Sequence, residues 1–117
     1  MKRLYSATLN SLRGLGYCLR CEAAVRTEGI FLLIAVPLGV FVAPSVAWYV
    51  AMIGSLLALL VVEMLNTAFE ELADFVTRER HVEIGRIKDC SSGAVFCAVC
   101  LAGLVWLAAM ALRFGLV

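Results

Sequence analysis

The chain has 117 residues and a net charge of +1, and 63% of its residues are hydrophobic while only 16% are charged. Soluble domains average roughly 45–50% apolar and about 25% charged residues, so this composition excludes an ordinary soluble domain. It predicts a single all-α integral membrane domain that spans residues 1–117. The absence of a sustained basic face excludes nucleic acid as a partner.

The first segment, residues 1–21, has the pattern of an amphipathic helix that lies on the membrane surface. Leucines recur in it at close to helical spacing, and basic residues stand between them, among them Lys2, Arg3, Arg13 and Arg20. Apolar and basic faces on one helix are typical of a segment that rests in the interface between lipid and water.

The next segment contains two membrane spans. Residues 29–62 carry no charged side chain. This stretch is longer than one span of about 20 residues, and Pro44 interrupts it. We therefore predict a first transmembrane helix over residues 22–43 and a second over residues 46–76. The second helix continues past its apolar part, so that its final turns form a polar extension on the cytoplasmic side.

The last third of the chain is predicted to contain a polar cytoplasmic loop, residues 77–86, and a third transmembrane helix, residues 87–112. Nine of the ten Lys and Arg residues lie in the N-terminal region through Arg26 or in residues 77–88. The positive-inside rule therefore places the N-terminus in the cytoplasm and the C-terminus on the periplasmic side of a bacterial inner membrane.

A stripe of polar residues marks the end of the apolar part of the second span. Glu63, Asn66, Glu70 and Asp74 are spaced so that they share one helical face. Glu71 and Asp74 fit an ordinary solvated helix end, but Glu63 directly follows the apolar run, where a carboxylate is costly. We interpret the stripe as a site that binds a divalent cation such as Mg²⁺ or supplies a general base.

Two smaller clusters flank the stripe in the sequence. Residues 22–28 contain Glu22 and Glu28 around Arg26, which is also placed to pair with Glu22. Residues 88–92 begin with Lys88, which fits either an anion-binding role or the ordinary flanking of a span. The chain has neither a Walker A motif nor the Gly-rich loop of protein kinases, so a nucleotide would bind without either cradle.

The cysteines form two C-x-x-C pairs, and such pairs are also found in zinc sites. The second pair lies within an apolar run, where thiols usually behave as small hydrophobic groups. We therefore expect no metal or disulfide at these positions, which are Cys18, Cys21, Cys90, Cys97 and Cys100.

Together these stretches resemble the small prokaryotic diacylglycerol kinase family. The resemblance rests on residues 22–29 (EAAVRTEG), 62–70 (VEMLNTAFE) and 85–92 (GRIKDCSS), and it covers nearly the whole chain. It implies a homotrimeric helical bundle whose active sites lie at subunit boundaries. Each site would transfer the γ-phosphoryl group of ATP, with Mg²⁺, to the hydroxyl of diacylglycerol.

The resemblance also implies roles for individual residues. Glu63 would be the general base on the lipid hydroxyl, and Glu22 and Glu70 would bind the metal. The nucleotide would be bound by Asn66, Asp74, Glu79, His81, Lys88 and Asp89. The lipid would be bound by Arg3, Glu28, Glu63 and Ser92.

The sequence departs from the family pattern at Cys21, where an asparagine is expected, and at Arg80, where an aromatic residue is expected. Within the family, an undecaprenol kinase is the alternative, although residues 22–29 favour diacylglycerol. Outside it, an ion relay or transport subunit would need polar groups through the bilayer, which the three spans lack. A purely structural assembly factor would have no need of the carboxylate stripe.

Overall fold

A computed structural model describes residues 1–117 as four helices with no strand. The helices are α1 (Lys2–Cys21), α2 (Ala23–Val42), α3 (Val46–Val76) and α4 (Val82–Arg113). Three of them, α2, α3 and α4, are long and apolar enough to cross a membrane. The prediction of an all-helical protein with three candidate membrane spans is therefore confirmed.

The helix α1 packs against the other helices only near its C-terminal end. Leu4 and Leu12 are 72% and 61% exposed, whereas Cys18 in the last turn is buried. A single non-helical residue, Glu22, connects α1 to α2 with extended backbone angles (φ −115°, ψ 116°). That α1 rests on a membrane surface stays a prediction.

A tight turn connects α2 to α3 at the end of the molecule opposite the polar stripe. Ser45 caps α3, because its hydroxyl accepts a hydrogen bond from the backbone N–H of Trp48 at 3.3 Å. Gly39 lets the two helices approach closely, since a Cβ there would lie 3.2 Å from the ring of Tyr49. Pro37 lies inside α2 without ending it.

The helix α4 begins earlier than the sequence predicted. Residues 77–86 were expected to form a loop and residues 87–112 a span, but α4 starts at Val82, so only residues 77–81 are non-helical. The polar composition of this stretch does not oppose a helix, because solvated charged side chains suit a helix that extends beyond the bilayer. Glu83 in the first turn also interacts favourably with the helix dipole.

The antiparallel pair α3 and α4 packs through small side chains. Ala98, Ala102 and Ala109 on α4 are buried, and small residues at such positions bring helix backbones close together. The indole N–H of Trp106 also donates to the backbone carbonyl of Met52, at 3.1 Å, beside the fully buried Met52 side chain. Packing and this polar contact help to hold the pair in register within its apolar region.

Most apolar side chains of the single chain have nothing packed over them. Only 13 of the 117 residues are buried, while large residues such as Leu33, Phe41 and Phe96 are more than 65% exposed. A surface of this kind is stable where lipid or another protein chain covers it, and not in water.

We predict that Trp106→Phe lowers the free energy of unfolding by about 1 kcal/mol more than Trp48→Phe does. Both changes shrink an indole to a phenyl ring, but only Trp106→Phe removes a side-chain hydrogen bond. The hydrogen bond of Trp48 is donated by its backbone N–H and is kept in Trp48→Phe. Unfolding by sodium dodecyl sulfate in mixed micelles measures the difference. Equal losses in the two variants would show that the Trp106 bond contributes nothing.

Candidate active site

Carboxylates gather where the apolar part of α3 ends. Glu63 is only 9% exposed, and α2 places the carboxyl of Glu28 within hydrogen-bond reach of it. The Oε2 atom of Glu28 is buried and receives no hydrogen bond. Two carboxylates in contact repel each other when both are ionised, so this pair requires a proton or a cation between its members.

Two more carboxylates surround this pair. Glu22 lies in the connection between α1 and α2, and Glu70 lies two helical turns beyond Glu63 on α3. Both are close enough to act electrostatically on Glu63. We call Glu22, Glu28, Glu63 and Glu70 the acidic cluster.

The donors of the acidic cluster suit a hard divalent cation. Mg²⁺ prefers oxygen ligands and is often bound by one or two carboxylates together with water and substrate phosphates. The buried Oε2 atom of Glu28 has no hydrogen-bond partner, and such a cation or a water bound to it would supply one. However, no three Asp, Glu, His or Cys side chains of the chain are arranged to hold a metal by themselves. The remaining ligands would therefore have to come from water or a bound substrate.

Asn66 is held in place from α4. The hydroxyl of Ser91 donates a hydrogen bond to Asn66 Oδ1 at 2.7 Å, and Asn66 is partly buried. Ser91 was not among the predicted site residues; the neighbouring Ser92, predicted to bind the lipid, is exposed. Ser91 belongs to the stripe of α4 that faces α3, as Lys88 and Ala98 do. The three- and four-residue spacing of that stripe is the signal by which Ser91 was recognisable.

A polar cavity of about 430 Å³ lies beyond the acidic cluster, at the connection between α3 and α4. Four of the residues predicted to bind nucleotide line it together: Asp74, Glu79, His81 and Lys88. Lys88 Nζ lies 2.7 Å from Asp74 Oδ1, and His81 Nε2 lies 3.5 Å from Glu79 Oε2.

Two arginines also line this cavity, Arg78 and Arg80. Neither arginine was predicted to bind a substrate, although guanidinium groups are well suited to bind phosphate. Their sequence signal was weak, because a charged residue in a polar connection usually faces solvent.

Besides Asn66, three predicted residues lie outside both the acidic cluster and the cavity. Asp89 and Ser92 are exposed on α4. Arg3 is exposed near the start of α1, about 28 Å along that helix from Glu22 at 1.5 Å per residue. Their roles stay predictions.

Three spans with a pair of carboxylates, one buried and one half-buried, and a polar cavity at one end form an integral membrane protein with a site suited to charged groups. Residues 9–110 match the profile of the family described as Prokaryotic diacylglycerol kinase. The chain belongs to the prokaryotic diacylglycerol kinase family, and it is a lipid kinase.

Curated relatives agree with this assignment. The chain is 37% identical over 106 residues to the diacylglycerol kinase of Haemophilus influenzae, an alignment that covers 91% of this chain and 90% of the relative. It is 34% identical over 113 residues to the diacylglycerol kinase of Escherichia coli K12, covering 97% and 93% of the two chains. The diacylglycerol kinase of Pseudomonas aeruginosa is 34% identical over 106 residues, covering 91% and 86%.

We predict that Ser91→Ala raises the KM for ATP by about two- to tenfold, the effect of one lost hydrogen bond, because Asn66 Oδ1 is left without its donor. Ser6→Ala is the control, since Ser6 is exposed on α1 and its loss leaves the Asn66 bond intact. Steady-state kinetics with ATP and lipid varied separately measure both variants. An unchanged KM for ATP in Ser91→Ala would contradict a role for this bond.

Proposed function

We propose that the protein transfers the γ-phosphoryl group of ATP to the free hydroxyl of diacylglycerol and so forms phosphatidic acid. The observation that carries this proposal is the position of the buried Glu63 between an apolar span and a polar cavity. A lipid whose tails stay in the bilayer would reach Glu63 from one side, and a soluble nucleotide would arrive from the other.

Glu63 is the proposed general base. It takes the proton of the lipid hydroxyl while that oxygen forms a bond to the γ-phosphorus, and the bond from this phosphorus to the β–γ bridging oxygen breaks to release ADP. Phosphoryl transfer depends mainly on in-line positioning and neutralisation of charge, so a single base with fixed geometry is sufficient protein chemistry. Burial on α3 against α2 restricts the carboxyl of Glu63 to few orientations.

The cofactor in this proposal is Mg²⁺, bound by Glu22 and Glu70. When bound, the cation neutralises charge on the transferred phosphates. Both carboxylates lie around Glu63, and both stand outside its direct contact with Glu28. That arrangement leaves Glu63 available as a base.

The nucleotide is proposed to occupy the polar cavity. Asp74, Glu79 and His81 would surround the nucleoside, while Lys88, Asn66 and Asp89 would lie near the phosphates. The ion pair of Lys88 with Asp74 presets the position of the ammonium group before ATP arrives.

The lipid is proposed to contact Glu28, Glu63 and Ser92, with Arg3 from α1 near its polar end. Glu28, Glu63 and Ser92 come from α2, α3 and α4, so all three spans would contribute to the lipid site.

The protein is further proposed to act as a homotrimer whose active sites are shared between subunits. The small number of buried residues supports this, because a second chain would cover apolar surface and complete the site. The trimer would lie in the bacterial cytoplasmic membrane, with the N-terminus in the cytoplasm and the C-terminus in the periplasm.

We predict that Glu63→Gln lowers kcat by about 100-fold or more, because a general base typically contributes that much. The measurement is transfer of label from ATP by purified protein in mixed micelles, with diacylglycerol and undecaprenol offered separately, with Mg²⁺ or with a chelator. Glu83→Gln is the matched control, since Glu83 is exposed in the first turn of α4 and outside the acidic cluster.

Labelling of undecaprenol alone would preserve the mechanism and refute the proposed substrate. Full activity of Glu63→Gln would refute the assignment of the base. Labelling that persists in the chelator would refute the requirement for Mg²⁺.

We predict that Lys88→Met raises the KM for ATP about tenfold and leaves the KM for lipid unchanged. The change removes a charge-assisted hydrogen-bond donor from the cavity and keeps a side chain of similar length. Lys2→Met, at the exposed start of α1, is the control. A rise in the KM for lipid instead would place Lys88 at the other substrate.

A further inference from the structure

The last turn of α1, residues 17–21, is the part of that helix docked on the rest of the protein. Cys18 is buried, although the residues before Leu15 are all exposed. A Cβ added at Gly29 would lie 3.4 Å from Leu19 Cδ2, so the docked turn and α2 are in close contact. The guanidinium of Arg26 donates to the carbonyls of Leu19 and Arg20, at 3.3 and 2.7 Å.

One side-chain hydrogen bond joins the docked turn to α3. The hydroxyl of Tyr17 donates to Glu71 Oε1 at 2.5 Å. This hydrogen bond, together with the charge of Glu71, raises the pKa of Tyr17 to about 12. Arg26 therefore fixes the docked turn to α2, and Tyr17 fixes it to α3.

The neighbours of this bond along the chain belong to the acidic cluster. Glu71 directly follows Glu70 on α3, and Glu22 is the next residue after the docked turn. Because Glu22 is the single extended residue between α1 and α2, rotation about its backbone would swing α1 and move the Glu22 carboxylate. A bond from the docked turn to α3 opposes that rotation.

We propose that Tyr17 is a positioning residue for the divalent cation, holding Glu22 beside Glu70 through its hydrogen bond to Glu71. This inference rests on the proposed function, in which Glu22 and Glu70 bind the metal. Tyr17 itself touches neither the metal nor a substrate. It acts by fixing the distance between the carboxylates of Glu22 and Glu70, which come from different parts of the chain.

We predict that Tyr17→Phe raises the Mg²⁺ concentration for half-maximal activity about three- to tenfold, and weakens binding of Mn²⁺ alone to the same extent. The KM for lipid should not change. The substitution removes one hydroxyl and no charge, so the field at the metal is preserved. Tyr5→Phe is the control, because Tyr5 is 67% exposed on the same helix. Electron paramagnetic resonance of free Mn²⁺ measures binding without catalysis.

Variants of Glu71 separate the hydrogen bond from the charge. Glu71→Gln keeps an oxygen that accepts from Tyr17, so it should retain most of the Mn²⁺ affinity, whereas Glu71→Ala should lose as much as Tyr17→Phe. Combining Tyr17→Phe with Glu71→Ala should add little further loss, because both act through one bond.

The reactivity of Cys18 reports on the docked turn independently of metal and catalysis. In a chain with the other four cysteines replaced by alanine, a polar methanethiosulfonate reagent should modify the buried Cys18 slowly. Tyr17→Phe should increase that rate several-fold, and Tyr5→Phe should not.

The outcomes distinguish this inference from the proposed function beneath it. If Glu22→Gln and Glu70→Gln abolish Mn²⁺ binding while Tyr17→Phe binds as the unaltered protein does, the positioning role is refuted and the metal assignment stands. If Glu22→Gln and Glu70→Gln bind Mn²⁺ normally, the metal assignment fails, and the inference fails with it. A Cys18 rate unchanged by Tyr17→Phe would refute the docking contact.

Discussion

The contact between Glu28 and Glu63 is the constraint around which the rest of the molecule is arranged. Two carboxyl groups in contact at the end of an apolar helix are unfavourable unless a proton or cation lies between them and surrounding structure prevents their escape to water. Packing of α2 on α3 provides that enclosure, and Gly39 together with Ser45 fixes the hairpin at the other end. The membrane spans therefore do more than anchor the protein, because their packing holds the acidic pair together.

Polar contacts between helices are few, and most lie at the ends of the spans. Ser91 bonds Asn66, Lys88 pairs with Asp74, and Tyr17 bonds Glu71, all in the part of the chain near the acidic cluster. Within the apolar region, small residues of α4 and the Trp106 bond to a backbone carbonyl suffice. This distribution follows from the solvent, since hydrocarbon provides no hydrogen-bond partners for side chains left unpaired.

The chain belongs to the prokaryotic diacylglycerol kinase family, and the chemistry of a lipid kinase explains why these contacts lie at one end of the spans. A lipid kinase has to bring a soluble nucleotide to a hydroxyl that stays at the bilayer surface. A polar cavity beside a carboxylate at the end of an apolar helix has the required placement.

The sequence by itself determined the helical spans and the carboxylate stripe, because uncharged runs and helical periodicity are local properties of the chain. It placed the start of α4 too late, because the largely polar stretch 77–86 suggested a loop and composition does not separate a solvated helix from a solvated coil. It did not show that Ser91 of α4 bonds Asn66 of α3. It also gave no sign of the Tyr17–Glu71 bond, which joins residues 54 positions apart. Only the tertiary structure decided these points, because the packing of all four helices determines which faces of two helices meet.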